Sequence, residues 1–359
     1  MATKTQSRPP GADPKALRAT APVARRKAAA PPKAAPGAIH VAAIVDGALH
    51  EANGADALKR LPVFLRAQEA SVWIDISSPS KAQMEEVGAA LSLHPLIVED
   101  VLEGNQRAKL EVTNGVVHLV LFHLDYNDGV VASELDMVLG LGFLLTVHDA
   151  GWDPHASHHL GTGTAEVLQH GPDHLLWALC DDIVDGYFPF SDELGDAIDQ
   201  VQDEVFAKAV PETLERVFEL KRQLIEVRRS ISPVREVFNQ LTNRDMPLID
   251  ENEIVYFRDV YDHLIRLTDE LDMYRELASA TLDVYLTQVN NNLSVIMKRL
   301  TGVTVILAGI GAVAGIFGMS EAGTAIGGGG EAAGFWVVTA AVTVAALIGL
   351  LSLKKIDWI

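Results

Sequence analysis

Residues 300–320 read LTGVTVILAGIGAVAGIFGMS, and residues 332–353 read AAGFWVVTAAVTVAALIGLLSL. These runs of 21 and 22 residues contain no Asp, Glu, Lys or Arg. A helix needs about 20 such residues to cross a hydrocarbon core, so each run reads as a transmembrane span. Two helices buried in a soluble core are the alternative, and two consecutive uncharged runs of this length argue against it. The flanks orient the pair. Lys298 and Arg299 precede the first run and Lys354 and Lys355 follow the second, whereas the connection 321–331 holds Glu321, Glu331 and no basic residue. Basic residues stay on the cytoplasmic side, so the sequence predicts a multi-pass protein of the cell (inner) membrane. Both termini, including the basic end 354–359, are then cytoplasmic, and the acidic loop 321–331 is external.

Upstream of the first run the chain reads as helix. No proline follows Pro247, and from Glu251 apolar residues recur at three- and four-residue steps through Leu264, Leu267, Leu271, Leu282, Leu286, Leu293 and Ile296. That period predicts one very long helix, with a stalk over 249–299 running into the span at 300–320. Residues 173–248 also read as helices. Glu212–Asn243 has Val217, Leu220, Leu224 and Val227 at helical spacing, and Pro189, Pro211, Pro233 and Pro247 punctuate the segments.

Residues 38–172 read as an α/β (α+β) domain. Ile39–Leu49, Ser71–Ile76, Val116–Tyr126 and Leu135–Val147 are rich in Val, Ile, Leu and Phe and predict strands, with Asn114-Gly115 as a hairpin turn. Ser80–Leu91 and Leu96–Leu102 predict helices. Residues 1–37 are rich in Ala, Pro, Lys and Arg and have too few large apolar side chains to offset the entropy of ordering, which predicts a disordered tail. A transit peptide is the other reading of this acid-poor stretch, but its prolines break the amphipathic helix such signals need.

Charge narrows the function. The 359 residues carry a formal −19; the tail's eight basic residues against Asp13 make +7 of this, which leaves −26 on residues 38–359. A body so acidic is suited to cations and unsuited to nucleic acid, whose phosphates call for a basic surface. The single cysteine, Cys180, excludes a disulfide framework and any Cys-rich metal site. Walker A, GxSxG, HExxH and paired-Cys patterns are all missing, so the sequence does not read as an enzyme. A hairpin of two spans encloses no pore alone, so conduction requires oligomerisation. Gly302, Gly309, Gly311, Gly315 and Gly318 in the first span allow close helix approach, between chains or simply within the hairpin.

Five ordered segments carry a family resemblance: HPLIVEDVL (94–102), QRAKLEV (106–112), YFRDVYDHL (256–264), MKRLT (297–301) and FGMS (317–320). Over roughly residues 70–359 the chain resembles the CorA family of divalent-cation transporters. GFW (334–336) and the terminal LKKIDWI look more like its ZntB branch, associated with zinc. The resemblance implies a homopentamer: a cytoplasmic α/β funnel domain, a stalk helix continuing as the pore-lining first span, and an outer ring of second spans in the lipid bilayer. It places the family's Gly-Met-Asn filter on Gly318, Met319 and Ser320, with Ser in place of Asn. The family's Pro and Thr within the first span fall on Gly309 and Gly311, and an Asn falls on Ser294. Met297 and Leu300 match a hydrophobic constriction and Asp283 an acidic ring. Met297, Leu300, Thr301 and Thr304 fall on one helical stripe, consistent with a pore face. Asp100 and Asp259 match two carboxylates that share a regulatory divalent ion between subunits. Without the resemblance, Asp100 would cap a turn, Asp259 would pair with a nearby Arg, and Asp283 would be a solvated stalk carboxylate.

The expected function is membrane transport of a divalent cation (Mg²⁺, Zn²⁺, Co²⁺ or Ni²⁺) through a pentameric pore, with Glu321 and Glu331 drawing cations to the outer mouth. The cation, Mg²⁺ or Zn²⁺, serves as cargo and regulator. Proton-coupled zinc transport of the ZntB kind is the alternative within transport, although neither span holds a His, Cys, Asp or Glu for a proton relay. A non-conducting, membrane-anchored metal sensor or scaffold is the alternative outside it. One further cluster lies outside the family pattern. His155, His158 and His159, with Asp153, form a loop group whose spacing suits zinc given a fourth ligand from elsewhere, or are merely solvated.

Overall fold

The computed structural model describes residues 37–126, 130–149, 151–243, 246, 248–318 and 331–355. Seven strands form one sheet in the order β2-β1-β3-β7-β6-β5-β4. β1 (Ala38–Val45) and β2 (Ala48–Asn53) form a hairpin about Asp46-Gly47, whose φ values of 52° and 76° suit a two-residue turn. The single strand expected over Ile39–Leu49 is therefore two. The strand expected over Leu135–Val147 also divides, into β6 (Val130–Gly140) and β7 (Phe143–His148), because Leu141-Gly142 turns the chain with Leu141 exposed and Gly142 at φ 77°. Asn114-Gly115 turns as its sequence predicts, between β4 (Lys109–Thr113) and β5 (Val116–Tyr126). β3 (Ser71–Ser77) pairs parallel with β7, and the other neighbours are antiparallel.

Alternation along the pleat gives the sheet two buried faces. Val72, Ile74 and Ile76 of β3 and Leu145 and Val147 of β7 pack under α1 (Gly54–Phe64), α2 (Lys81–Ala90) and α3 (Pro95–Glu103). α2 opens on a capping box formed by Ser80 and Gln83. α1 is an addition to the sequence reading; its buried Ala57, Leu61 and Phe64 recur at four- and three-residue steps. On the opposite face Trp73, Val117, Leu119, Leu121, Leu135 and Met137 pack against the helices that follow. Those are α4 (Thr164–Gln169), α5 (Pro172–Asp185), α6 (Tyr187–Ala207) and α7 (Pro211–Asn243), and α8 (Ile254–Gly318) joins the same core by packing on α5, α6 and α7.

Pro211 opens α7, where its missing N–H costs nothing, whereas Pro233 lies inside that helix and does not end it. Leu264, Leu267 and Leu271 of α8 close a core with Leu224, Val227 and Ile231 of α7 and Leu194 and Ile198 of α6. Gly195 sets the α6–α8 spacing, since a Cβ there would lie 2.5 Å from the Tyr274 hydroxyl. α8 runs 65 residues, ~97 Å at helical rise. It is long and apolar enough to cross a membrane. α9 (Glu331–Lys355) ends on Lys354 and Lys355, and its Gly349 packs against Ile306 of α8.

The parallel β3–β7 pair holds a buried polar chain. Trp73 Nε1 donates to Thr146 Oγ1 at 3.0 Å, Thr146 donates to Asp75 at 2.5 Å, and His148 Nε2 lies 3.3 Å from Asp75. Burial pushes the Asp75 carboxyl up, but hydrogen bonds from His148, His155 and Thr146 outweigh it and bring its pKa down from 3.8 to about 2. Burial likewise opposes charge on His148, and the Asp75 carboxylate prevails and raises it above 6.5. Asp75 therefore contributes stability that is present above pH 3.8 and lost as pH falls toward 2. His148 contributes stability that is present below pH 6.5 and lost as pH rises through its raised value. Asp75→Asn should cost about 3–5 kcal/mol, the scale for removing one partner of a buried pair. Thermal melts from pH 6 to 9 should show the alkaline loss in the wild type and a smaller one in the variant.

Candidate metal centres and ion path

Asp100 projects from α3, a helix fixed by Pro95 at its first position, by His94 Nδ1 accepting from the Leu96 N–H, and by Gly104 in the left-handed conformation at its end. Its carboxylate does not cap a turn; Lys109 Nζ lies 2.5 Å from Oδ2 and Gln106 Nε2 3.5 Å from Oδ1. Lys109 also reaches Glu111 at 3.4 Å. Burial disfavours the ammonium, yet the hydrogen bond to Asp100 and the charges of Glu111 and Asp100 raise its pKa. Beneath lie Glu134, which accepts from the Gln106 N–H at 2.9 Å, and Asp136, 2.8 Å from the buried His118. Burial and the neighbouring Asp136 push the Glu134 carboxyl up. Donor atoms of Asp100, Glu111 and His118 fall within 4.8 Å of one another, a set rich in hard oxygen ligands.

Asp259 sits in the first turns of α8 with its side chain 71% exposed, 3.8 Å from His263 Nε2 and paired with no Arg among the described contacts. His263 Nδ1 lies 3.2 Å from Asp185, and donors of Asp181, Asp185 and His263 again fall within 4.8 Å. Burial and the Asp181 charge raise the Asp185 carboxyl. Among the described residues no three-ligand cluster contains both Asp100 and Asp259, so one chain does not bring them together. Lys109, Asp185 and His263 were not singled out from the sequence. The DDIVD and DVYDH runs carry the signal for the last two, with carboxylates and imidazole at helical i, i+4 spacing.

The histidine loop is rearranged relative to expectation. Asp153 caps a short 3₁₀ turn by accepting from the His155 N–H at 3.0 Å. The His155 ring leaves the group, stacking 4.6 Å from Trp73 and 3.5 Å from Asp75. His158 and His159 instead face Asp182 and Asp181 of α5.

On α8, Phe257, Val260, Leu264, Leu267 and Leu271 are buried, and the pattern changes past Tyr285. Leu286, Leu293, Ile296, Met297, Leu300 and Leu307 are each more than half exposed in the chain. Asp283, Ser294, Met297, Leu300, Thr301 and Thr304 are all exposed and, at 100° per residue, occupy an arc of ~120°. Thr304 Oγ1 donates to the Leu300 carbonyl at 2.8 Å. Gly318 ends the described part of α8. Met319, Ser320 and Glu321 lie outside the described residues, as do residues 1–36, and Glu331 is described in its backbone alone.

A family model described as CorA-like Mg²⁺ transporter protein matches residues 68–355. The chain belongs to that family. It is thereby a membrane transporter of divalent metal cations. The Cobalt/magnesium transport protein CorA of Thermotoga maritima is 34% identical over 262 residues, 71% of this chain and 74% of that protein. Among solved structures, the CorA magnesium transporter of Methanocaldococcus jannaschii superposes with a TM-score of 0.75 at 22% identity, covering 91% of this chain and all of the other. That match supports the mixed α/β domain followed by a long C-terminal helix. The Zinc transport protein ZntB of Yersinia pseudotuberculosis is 25% identical over 193 residues, 53% of this chain. Over the chain as a whole the cobalt/magnesium protein is thus the more similar of the two.

Proposed function

We propose that five copies of the chain form a parallel assembly in which α8 lines a divalent-cation pore and α9 forms the outer ring against lipid. The supporting observation is α8 itself, an unbroken helix whose first half buries one stripe in its own domain and whose second half carries exposed leucines with little of its own chain to cover them. Neighbouring copies and lipid supply the missing cover. The pore stripe then runs from Asp283, an acidic ring, through Ser294 to a hydrophobic constriction at Met297 and Leu300, then past Thr301 and Thr304. Gly318, Met319 and Ser320 form the filter, and Glu321 and Glu331 concentrate cations at the outer mouth.

In this reading residues 38–172 and 173–248 make the cytoplasmic funnel, 249–299 the stalk, 300–320 and 332–353 the spans, and 321–331 the external loop. Residues 1–37 and 354–359 are cytoplasmic. Asp100 of one copy and Asp259 of the next hold a regulatory divalent ion that favours the closed state, as hard carboxylate oxygens suit Mg²⁺. Mass measurement of the purified protein in detergent should give the pentamer, and reconstituted liposomes should pass divalent cations. A monomer or dimer would overturn the assembly.

A further inference from the structure

We infer that His158, His159 and Asp182 form a second metal site, selective for borderline cations such as Zn²⁺, Co²⁺ or Ni²⁺, that has no part in the ion path. One ligand atom from each falls within 4.8 Å of the others. The two groups come from separate pieces of chain. His158 and His159 stand on the turn that opens the 3₁₀ segment His159–Thr162, while Asp182 stands on α5, whose Leu179 and Ile183 are buried in the core.

The chemistry of the donors sets the class of ligand. Two imidazoles and one carboxylate match the nitrogen-and-oxygen set that zinc and its neighbours take, with a remaining position for water. Mg²⁺ prefers oxygen throughout and surrenders its waters reluctantly, so imidazoles offer it little. Around this set the structure supplies an outer layer. Asp181 Oδ2 lies 2.9 Å from His159 Nε2 and fixes that ring, as carboxylates do behind metal-binding imidazoles. Trp177 packs against the same ring at 4.7 Å, and Ser157 Oγ donates to Asp182. His158 Nδ1 meets Asp182 Oδ1 directly, so the two donors already converge on one point. The His158 side chain is 61% exposed against 13% for Asp182, which leaves an entry path over a preformed carboxylate.

Occupancy would clip the 157–162 turn onto α5. The site is independent of the pentamer and of the Asp100–Asp259 assignment, and its test reads binding alone. Untagged full-length protein in detergent, stripped with chelator, is titrated with Co²⁺ under excess Mg²⁺, which occupies oxygen-only sites. The expected result is one Co²⁺ per chain with an intense visible ligand-field band, lost in His158→Ala/His159→Ala and weakened at least about tenfold in Asp182→Asn. Asp100→Ala/Asp259→Ala should keep the band. A histidine double variant that retains both stoichiometry and band overturns the inference, as does a band that disappears only in the Asp100/Asp259 variant.

Discussion

Alanine at both Asp100 and Asp259 should abolish the rise in melting temperature that Mg²⁺ gives the assembled protein. An ion bound only by the native assembly stabilises it by mass action, about 2.7 kcal/mol per site at a hundredfold excess over Kd. For units of this size that is on the order of 5–10 °C, well above the scatter of a melt. Lys109 refines the expectation. Its ammonium already neutralises Asp100 at 2.5 Å, so a divalent ion must displace it before binding. Lys109→Met should therefore show the Mg²⁺-dependent rise at lower concentration, while the double alanine variant shows none. An undiminished rise in the double variant would remove both carboxylates from regulation.

The parts of this fold legible in the sequence are those governed by local rules. Asn114-Gly115 turns where it does because both residues tolerate positive φ, and the 65-residue α8 follows from an apolar period without proline. Asp46-Gly47 obeys the same rule as Asn114-Gly115, but the apolar run around it hid the turn, and Leu141-Gly142 was hidden similarly. α1 was obscured by Pro62, a helix-breaking residue that nevertheless lies inside it, two residues before its end. The sites divide along the same line. Asp100 and Asp259 stand out through the family pattern, yet their immediate partners do not, since Lys109 reaches Asp100 across the end of α3 and Asp185 reaches His263 from another helix. Pairings of that kind are set by tertiary packing. The histidine loop makes the same point: sequence proximity grouped His155 with His158 and His159, whereas Trp73 and Asp75 claim the first and α5 the other two.

In equal-concentration flux from liposomes, Zn²⁺, Co²⁺ or Ni²⁺ should permeate at least as well as Mg²⁺, and Ser320→Asn should shift preference toward Mg²⁺. The reason lies in dehydration. A ring of five amide carbonyls recognises a hydrated ion from outside its water shell, which suits Mg²⁺ because it sheds water so reluctantly. In the proposed filter Ser320 would present a shorter hydroxyl, so the ring would be wider and its hold on the hydrate weaker. Gly309 and Gly311, which the family resemblance sets opposite Pro and Thr, would widen the path beneath it. Ions that exchange water more readily depend less on such a ring and lose less by its absence. In the proposed outer mouth Glu321 and Glu331 would still attract any divalent cation, so the change would fall on discrimination and leave capture intact. Strong preference for Mg²⁺ over all three other ions in the wild type would mean that backbone carbonyls, and not the third filter side chain, set selectivity; Ser320→Asn would then leave the ratios unchanged.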